Sequence, residues 1–322
     1  MAESDLTFEF PELREFVCES LEVVHGFSRP NWKAISAYIA TNHADDRAAA
    51  WNDASLAWIE ALRHDLGGVY AVGTCGRFLL LSELEPANAD RFVQFAESSG
   101  DKIKAILGDA AWNSENGMHV ILVFSEEDDY YEYISYFYPE GTHPPSGGVC
   151  LHRDYVHIAV NRWLDHASSH TLVHELAHLF VVHLQLPVWI NEAWAMAAER
   201  EIFSRPAPLL DRDAADDLWE FWTEDRIQEF WAGTSFQIAG KSCELSYRLS
   251  ELLLNSTMRD LPAFREFLKK ADYRDAGQDA ALRCLGGSLG DIAGEFLGEG
   301  NWRPNRKKIA ELLRAPERAV PS

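Results

Sequence analysis

Apolar residues recur at three- and four-residue spacing through much of the first third of the chain. This spacing predicts helices over residues 11–26, 31–65 and 87–107. Two runs rich in β-formers, one around Gly73 and one around Gly76, lie between the second and third helices and predict a β-hairpin. The segment before the hairpin is therefore predicted to be helical throughout.

Strands are also predicted in the middle of the chain. Residues 119–124 form a short apolar run that predicts a buried strand, and residues 150–161 predict further strand. Between them, the acidic and aromatic residues 126–141 predict a helix with its tyrosines on a half-buried face, and residues 142–149 predict a loop. These elements predict a mixed sheet in the first half of the chain.

The second half of the chain is predicted to be mainly helical. Two helices are expected within residues 171–201, and they are separated at Pro187 because proline cannot continue the first one. Residues 203–215 are a Pro-rich, acidic connector. Further helical patterns lie at 218–233, at 242–254 and, as short helices joined by glycines, at 260–300. The fold class predicted from these elements is α+β.

Composition and charge narrow the possible functions. The 322 residues are 47% hydrophobic, which is enough for a large core, and carry 29 basic against 51 acidic side chains, a net charge of -22. Such a surface repels phosphate backbones and anionic lipid, so we expect neither nucleic-acid binding nor a membrane role. We see no secretory signal, and the five scattered cysteines form no C-x-x-C pair. Both features are typical of a cytoplasmic protein with reduced thiols.

The chemistry-bearing motif is His174-Glu175-Leu176-Ala177-His178, an H-E-x-x-H sequence inside an apolar helical pattern. Residues four apart lie on the same face of a helix, so His174 and His178 can present two imidazoles to one metal ion. Glu175 flanks that face, where it can reach water rather than the metal. The motif therefore predicts a zinc (Zn²⁺) site.

The third metal ligand is predicted to be a carboxylate, Glu192, fourteen residues after His178. The rival motif with a third histidine requires Gly and His where this chain has Val181 and Leu184, and His183 points away from the site. Zinc with two His and one Glu ligand keeps one position open and lowers the pKa of its water toward about 7. Glu175 would then act as general base in hydrolysis of an amide.

The stretch 171–201 resembles the gluzincin metallopeptidases, and most closely the peptidase MA-like domains of bacterial proteins. The family pattern is H-E-x-x-H, then W-[LI]-x-E-G-x-A, with Glu-Arg seven residues after the ligand Glu. The matching residues are Trp189, Ile190, Asn191, Glu192, Ala195, Glu199 and Arg200. Ala193 stands where the family usually has Gly, which narrows the space beside the metal.

The resemblance implies a zincin-like, thermolysin-like fold. In it, a mixed sheet places an edge strand over the active-site helix, and a mainly helical lobe follows. On this basis we expect three parts: an N-terminal helical segment 1–66, a zincin domain 67–300 and a locally basic tail 301–322.

Further site residues follow from the same resemblance. Gly147 and Gly148 correspond to the start of the substrate-binding edge strand. The aminopeptidase branch has a Glu just after this glycine, but Val149 and Cys150 stand here. The missing carboxylate favours endopeptidase action over aminopeptidase action.

Two more residues are assigned by the resemblance, each with a simpler alternative. Glu199 would orient a ligand His, although it could also replace Glu192 as the ligand or pair with Arg200. Tyr247, in the pattern S-Y-R-L-S, would hydrogen-bond the tetrahedral intermediate, although it could equally be a half-buried helix aromatic.

The sequence therefore predicts a zinc-dependent metallopeptidase that acts on a peptide or protein substrate. The alternative is a catalytically inactive zincin-fold module with a binding or regulatory role. Ala193 favours that alternative, whereas Glu175 argues against it, because a purely structural site needs no base.

Overall fold

We describe a computed structural model of the protein, in residues 8–67, 69–112, 117–138, 146–163 and 166–314. Fourteen helices and seven strands lie in these ranges. The predicted α+β class is confirmed. The chain divides into two compact units.

The first unit comprises residues 1–102 and 113–179, and the second comprises residues 103–112 and 180–322. The helices that begin in the first unit are α1 (Pro11–Glu19), α2 (Trp32–Asn42), α3 (Arg47–Leu66), α4 (Pro86–Leu107), α5 (Glu127–Ser135) and α6 (His166–Val181). The strands are β1 (Leu21–Val24), β2 (Phe27–Pro30), β3 (Ala71–Cys75), β4 (Phe78–Ser82), β5 (His119–Phe124), β6 (Gly148–Leu151) and β7 (His157–Asn161). The unit boundaries fall inside α4 and α6.

The main sheet of the first unit has five strands in the order β3-β4-β5-β7-β6. Strands β4, β5 and β7 are parallel, whereas β3 and β6 pair antiparallel at the two ends of the sheet. The predicted hairpin is β3-β4, and Gly76 in its turn has a φ of +53°, which glycine adopts without strain. Strand β6 is thus a sheet edge.

The prediction of one helix over residues 11–26 is wrong. Helix α1 ends at Glu19, and the chain continues as the antiparallel hairpin β1-β2. The two turn residues, His25 and Gly26, both have positive φ (+52° and +73°), which is the geometry of a type I′ hairpin turn. Val23 and Val24 favour the strand, so a turn signal overrode an apparent helical spacing.

The N-terminal helices share one hydrophobic core with the sheet. Trp32, Trp58 and Tyr155 form stacked and edge-to-face ring contacts at centroid distances of 4.3 to 5.7 Å. The same core includes Leu81 of β4 and Leu122 of β5. Residues 8–66 are therefore built into the first unit, because they cover one face of its sheet.

A buried histidine in this core makes the fold sensitive to acid. His157 is 2% exposed, its Nδ1 lies 2.9 Å from the carbonyl oxygen of Tyr155, and its Nε2 lies 2.7 Å from the hydroxyl of Tyr133. The carbonyl can only accept, so Nδ1 carries the proton and Nε2 accepts from Tyr133. Burial lowers the pKa of His157 from 6.5 to about 3.

We expect the stability to fall as the pH drops below 6.5, the pKa of His157 in the unfolded chain. Below that pH the unfolded chain binds a proton at His157, whereas the native protein leaves this residue neutral. Between about pH 7.5 and about pH 5, this residue should cost about 2 kcal/mol of unfolding free energy. Urea unfolding at both pH values measures the loss. In the variant His157→Gln, the loss of unfolding free energy between the two pH values should be smaller by about the same amount. An equal loss in the variant and the wild type would show that His157 is not the cause.

The second unit is helical in the described residues. Its helices are α7 (Val188–Ile202), α8 (Arg212–Phe221), α9 (Ile227–Ala232), α10 (Lys241–Thr257), α11 (Leu261–Lys270), α12 (Gln278–Cys284), α13 (Leu289–Leu297) and α14 (Arg306–Arg314). Side chains of Asp211, Asp260 and Ser288 cap the N-termini of α8, α11 and α13. Trp189 is fully buried in this unit and donates its Nε1–H to the carbonyl of Ala276 at 3.0 Å.

Part of the predicted tail 301–322 is helical. In α14, Ile309 is fully buried, and Arg306 pairs with the buried Asp275 at 2.8 Å. Apolar and ionic contacts both hold this helix against its unit. Residues 315–322 lie outside the described part of the chain.

Candidate metal centre

Helix α6 carries the H-E-x-x-H motif. Its apolar residues Leu172, Val173 and Leu176 are fully buried, which fixes the rotation of the helix about its axis. The rings of His174 and His178 then lie one helical turn apart on a half-buried face, in an edge-to-face arrangement with their centroids 4.7 Å apart. The predicted i, i+4 pairing of the two imidazoles is present.

Helix α7 follows after a short connection and begins at Val188, immediately after Pro187, as predicted. Glu192 is the fifth residue of α7 and is half-buried. One ligand atom each from His174, His178 and Glu192 lies within 4.8 Å of the other two. Among the described residues, this is the group of His, Cys, Asp and Glu side chains that is able to hold a metal ion.

The chemistry of this donor set fits zinc. Two imidazole nitrogens and one carboxylate oxygen are the protein ligands of many catalytic zinc sites, which leave a further position for water or substrate. Donor atoms this close together are within reach of one ion. All three side chains are only half-buried, so an ion can enter from solvent.

Glu175, the predicted general base, is held by the edge strand of the sheet. Its side chain is buried, with 7% exposed, and its Oε2 accepts a hydrogen bond from the backbone N–H of Cys150 at 2.7 Å. Cys150 lies in β6, twenty-five residues earlier in the chain. The fold thus joins the helix that carries the histidines to the free edge of the sheet.

Gly147 and Gly148 allow this close approach of strand and helix. A Cβ at Gly147 would lie 2.9 Å from Oγ1 of Thr171, and one at Gly148 would lie 2.8 Å from Cγ2 of Thr171 and 3.5 Å from Cγ of Glu175. The glycine pair therefore has a packing role beside α6.

We expect Gly148→Ala to destabilise the protein by about 1–3 kcal/mol, because the added methyl group overpacks the contact between β6 and α6. Thr171→Ser removes Cγ2, the nearest atom, and should restore part of the loss when combined with Gly148→Ala. Gly287→Ala is the matched control, since a Cβ there meets nothing within 4 Å. Urea unfolding distinguishes the variants, and an equal effect of the two alanines would refute the overpacking.

Tyr247 lies in α10 and is half-buried, with its ring 5.2 Å from that of Phe236. Cys243 precedes it by one helical turn and so lies on the same face of α10. Burial, and then the carboxylate of Glu192, raise the pKa of the Cys243 thiol.

Glu199 is half-buried and lies seven residues after Glu192, on the same face of α7. The neighbouring Arg200 is buried and pairs with Glu251 at 3.3 Å and with Glu201 at 3.9 Å. The group of donor atoms that converges on one point includes Glu192 and not Glu199.

Sequence reasoning missed two tyrosines whose pKa is affected by the Glu175 carboxylate. Tyr130 is fully buried in α5, Tyr138 follows that helix, and the pKa of each is raised by burial and by the Glu175 carboxylate. Sequence reasoning also gave Cys150 no part in the catalytic machinery, yet its N–H is the partner of Glu175, and burial together with this carboxylate raises the pKa of its thiol. The available signal was the concentration of tyrosines in 126–141.

Comparison of the chain with protein-family models, with curated proteins and with solved structures yields no match. Within the described residues, none of the helices combines the length and apolarity needed to cross a bilayer.

Proposed function

We propose that the protein is a zinc-dependent metallopeptidase of the gluzincin type that cleaves within peptide chains. The observation that carries the proposal is the convergence of donor atoms of His174, His178 and Glu192 to within 4.8 Å of one another. Glu175 lies next to one ligand and remains outside the donor group, as a general base must.

Each of these residues has a separate task in the proposed reaction. His174, His178 and Glu192 hold zinc, which acidifies water and polarises a carbonyl group. Glu175 accepts the proton of the attacking water and passes it to the leaving nitrogen of the scissile amide. The carboxylate is buried, so its hydrogen bonds do not compete with bulk water.

The edge strand supports an extended substrate. The N–H of Asn161 donates to the carbonyl of Gly147 at 2.8 Å, so in the antiparallel register alternate residues of β6 face β7. The main-chain groups of Gly148 and Cys150 face the open side instead, where the N–H of Cys150 is bound to Glu175. An extended peptide can pair with the main-chain groups of Gly148 and with the carbonyl of Cys150, beside Glu175. An edge strand beside the helix of the H-E-x-x-H motif supports the proposal that this α+β fold is zincin-like.

Two further roles belong to the proposal. Tyr247 stabilises the tetrahedral intermediate by hydrogen bonding, and Glu199 orients a ligand histidine. Because β6 continues from the glycines as Val149 and Cys150, with no carboxylate to bind a free amine, internal cleavage is favoured. The free thiols of Cys18, Cys150, Cys243 and Cys284 favour a cytoplasmic location.

A zinc measurement and a peptide screen together test the proposal. The full chain is stripped with a chelator, reloaded with zinc and incubated with a library of blocked peptides. We expect one zinc per chain and internal cleavage that stops when the chelator is returned. Absence of stoichiometric zinc would refute the metal site, and bound zinc without cleavage would favour the inactive binding module.

A further inference from the structure

Two consecutive tyrosines of α5 bind the same residue, Ser146. The hydroxyl of Tyr130 lies 2.8 Å from Oγ of Ser146, and the hydroxyl of Tyr131 accepts the backbone N–H of Ser146 at 3.3 Å. The side chain and the backbone of one residue are thus both attached to α5.

Ser146 stands immediately before the glycine pair that opens the edge strand. Gly147 and Gly148 lack side chains, so they restrict the backbone less than any other residues. Thr171 packs so closely against both glycines that neither position can carry a side chain to anchor the strand. The start of β6 is therefore held by main-chain bonds to β7, such as the one from Asn161 to Gly147, and, before the glycines, by the two tyrosines.

We propose that Tyr130 and Tyr131 are positioning residues that fix the start of β6 and, with it, the N–H of Cys150 that binds Glu175. This inference rests on the proposed peptidase function, in which β6 binds the substrate. The tyrosines act through Ser146 and the strand and do not touch the reacting atoms. Their effect is therefore on substrate binding along the edge.

The hydroxyl groups, rather than the rings, carry this role. Tyr130 is fully buried, and its ring packs against Phe124 at a centroid distance of 5.9 Å, a contact that phenylalanine would keep. Burying a hydroxyl is costly unless it has a partner, and here the partner is Ser146. Tyr133 provides the contrast on the same helix, since its hydroxyl binds His157 in the core.

The test compares Tyr130→Phe, Tyr131→Phe and the double variant with the matched control Tyr133→Phe. Amide hydrogen exchange is measured for Gly148, Val149 and Cys150 in the full chain. Losing one hydrogen bond should speed this exchange roughly 3- to 10-fold, and the double variant should exceed either single one. In Tyr133→Phe, the exchange rates of the β6 amides relative to those of amides in the rest of the protein should stay at the wild-type ratio.

Kinetics supply the second readout. The double variant should raise KM for a cleaved peptide roughly 3- to 10-fold with little change in kcat. A loosened strand weakens the binding of the substrate and of the transition state by the same factor. Zinc affinity should stay at the wild-type value. Unchanged β6 exchange, or an unchanged KM despite faster exchange, would overturn the proposal. If the wild type cleaves no peptide, the peptidase function fails, while exchange alone still decides whether the tyrosines fix β6.

Discussion

Replacing Glu175 by Gln is expected to abolish peptide hydrolysis and to leave zinc binding intact. The Gln amide oxygen can still accept the N–H of Cys150, which bonds Glu175 at 2.7 Å, so the local fold is retained while the basic carboxylate is lost. A positioned general base contributes about 10²- to 10⁴-fold, and kcat should fall by about that factor. Steady-state kinetics and zinc per chain by mass spectrometry measure the two effects.

The matched control is Glu132→Gln, which removes an exposed carboxylate from α5. It should leave kcat and zinc content at wild-type values. If Glu175→Gln retained full activity, the assignment of the base would be wrong. If the Glu175→Gln variant lost both activity and zinc, Glu175 would be needed for metal binding and not only as the base.

Replacing Glu192 by Ala should lower zinc affinity by more than about 100-fold, since even the loss of a partner that only supports a zinc ligand costs about 10- to 100-fold. Glu192 is the one carboxylate in the converging donor group, and two histidines alone bind zinc less tightly. Competition with a chromophoric chelator measures the affinity. Hydrolysis should be lost in parallel, because the donor group found among the described residues contains no second carboxylate.

Glu201→Gln is the control for this experiment. Glu201 is an exposed carboxylate on the same helix, and its contact within α7 is with Arg200 at 3.9 Å. Its removal should leave zinc affinity unchanged. Wild-type zinc affinity in Glu192→Ala would contradict the ligand assignment and direct attention to Glu199.

Local spacing predicted correctly that His174 and His178 lie on one helix. His174 and His178 need only an α-helix between them to share a face, and the surrounding apolar pattern indicates that helix. Strand β5 was likewise predicted at the bounds that the structure has, because a short apolar run rich in β-branched residues is a strong local signal. Residues 21–30 were harder, since a two-residue turn interrupted an apparent helical period.

Other parts of the site were beyond local reasoning. The bond from Cys150 to Glu175 joins residues twenty-five positions apart, and no periodicity relates them. The packing role of Gly148 likewise depends on Thr171 approaching from another element. The attachment of Ser146 to Tyr130 depends on where α5 lies beside the strand.

The sequence by itself determined the chemistry that this protein can carry: two imidazoles on one helical face, a carboxylate beside them and another on the next helix. Helical geometry places the two imidazoles and Glu175 relative to one another, because it is set by hydrogen bonds between near neighbours, but the approach of Glu192 to them is tertiary. Only the tertiary structure decided that Glu175 meets a sheet edge and that residues 8–66 share the core of the sheet. Those contacts join distant segments, and burial of apolar surface over the whole unit selects them.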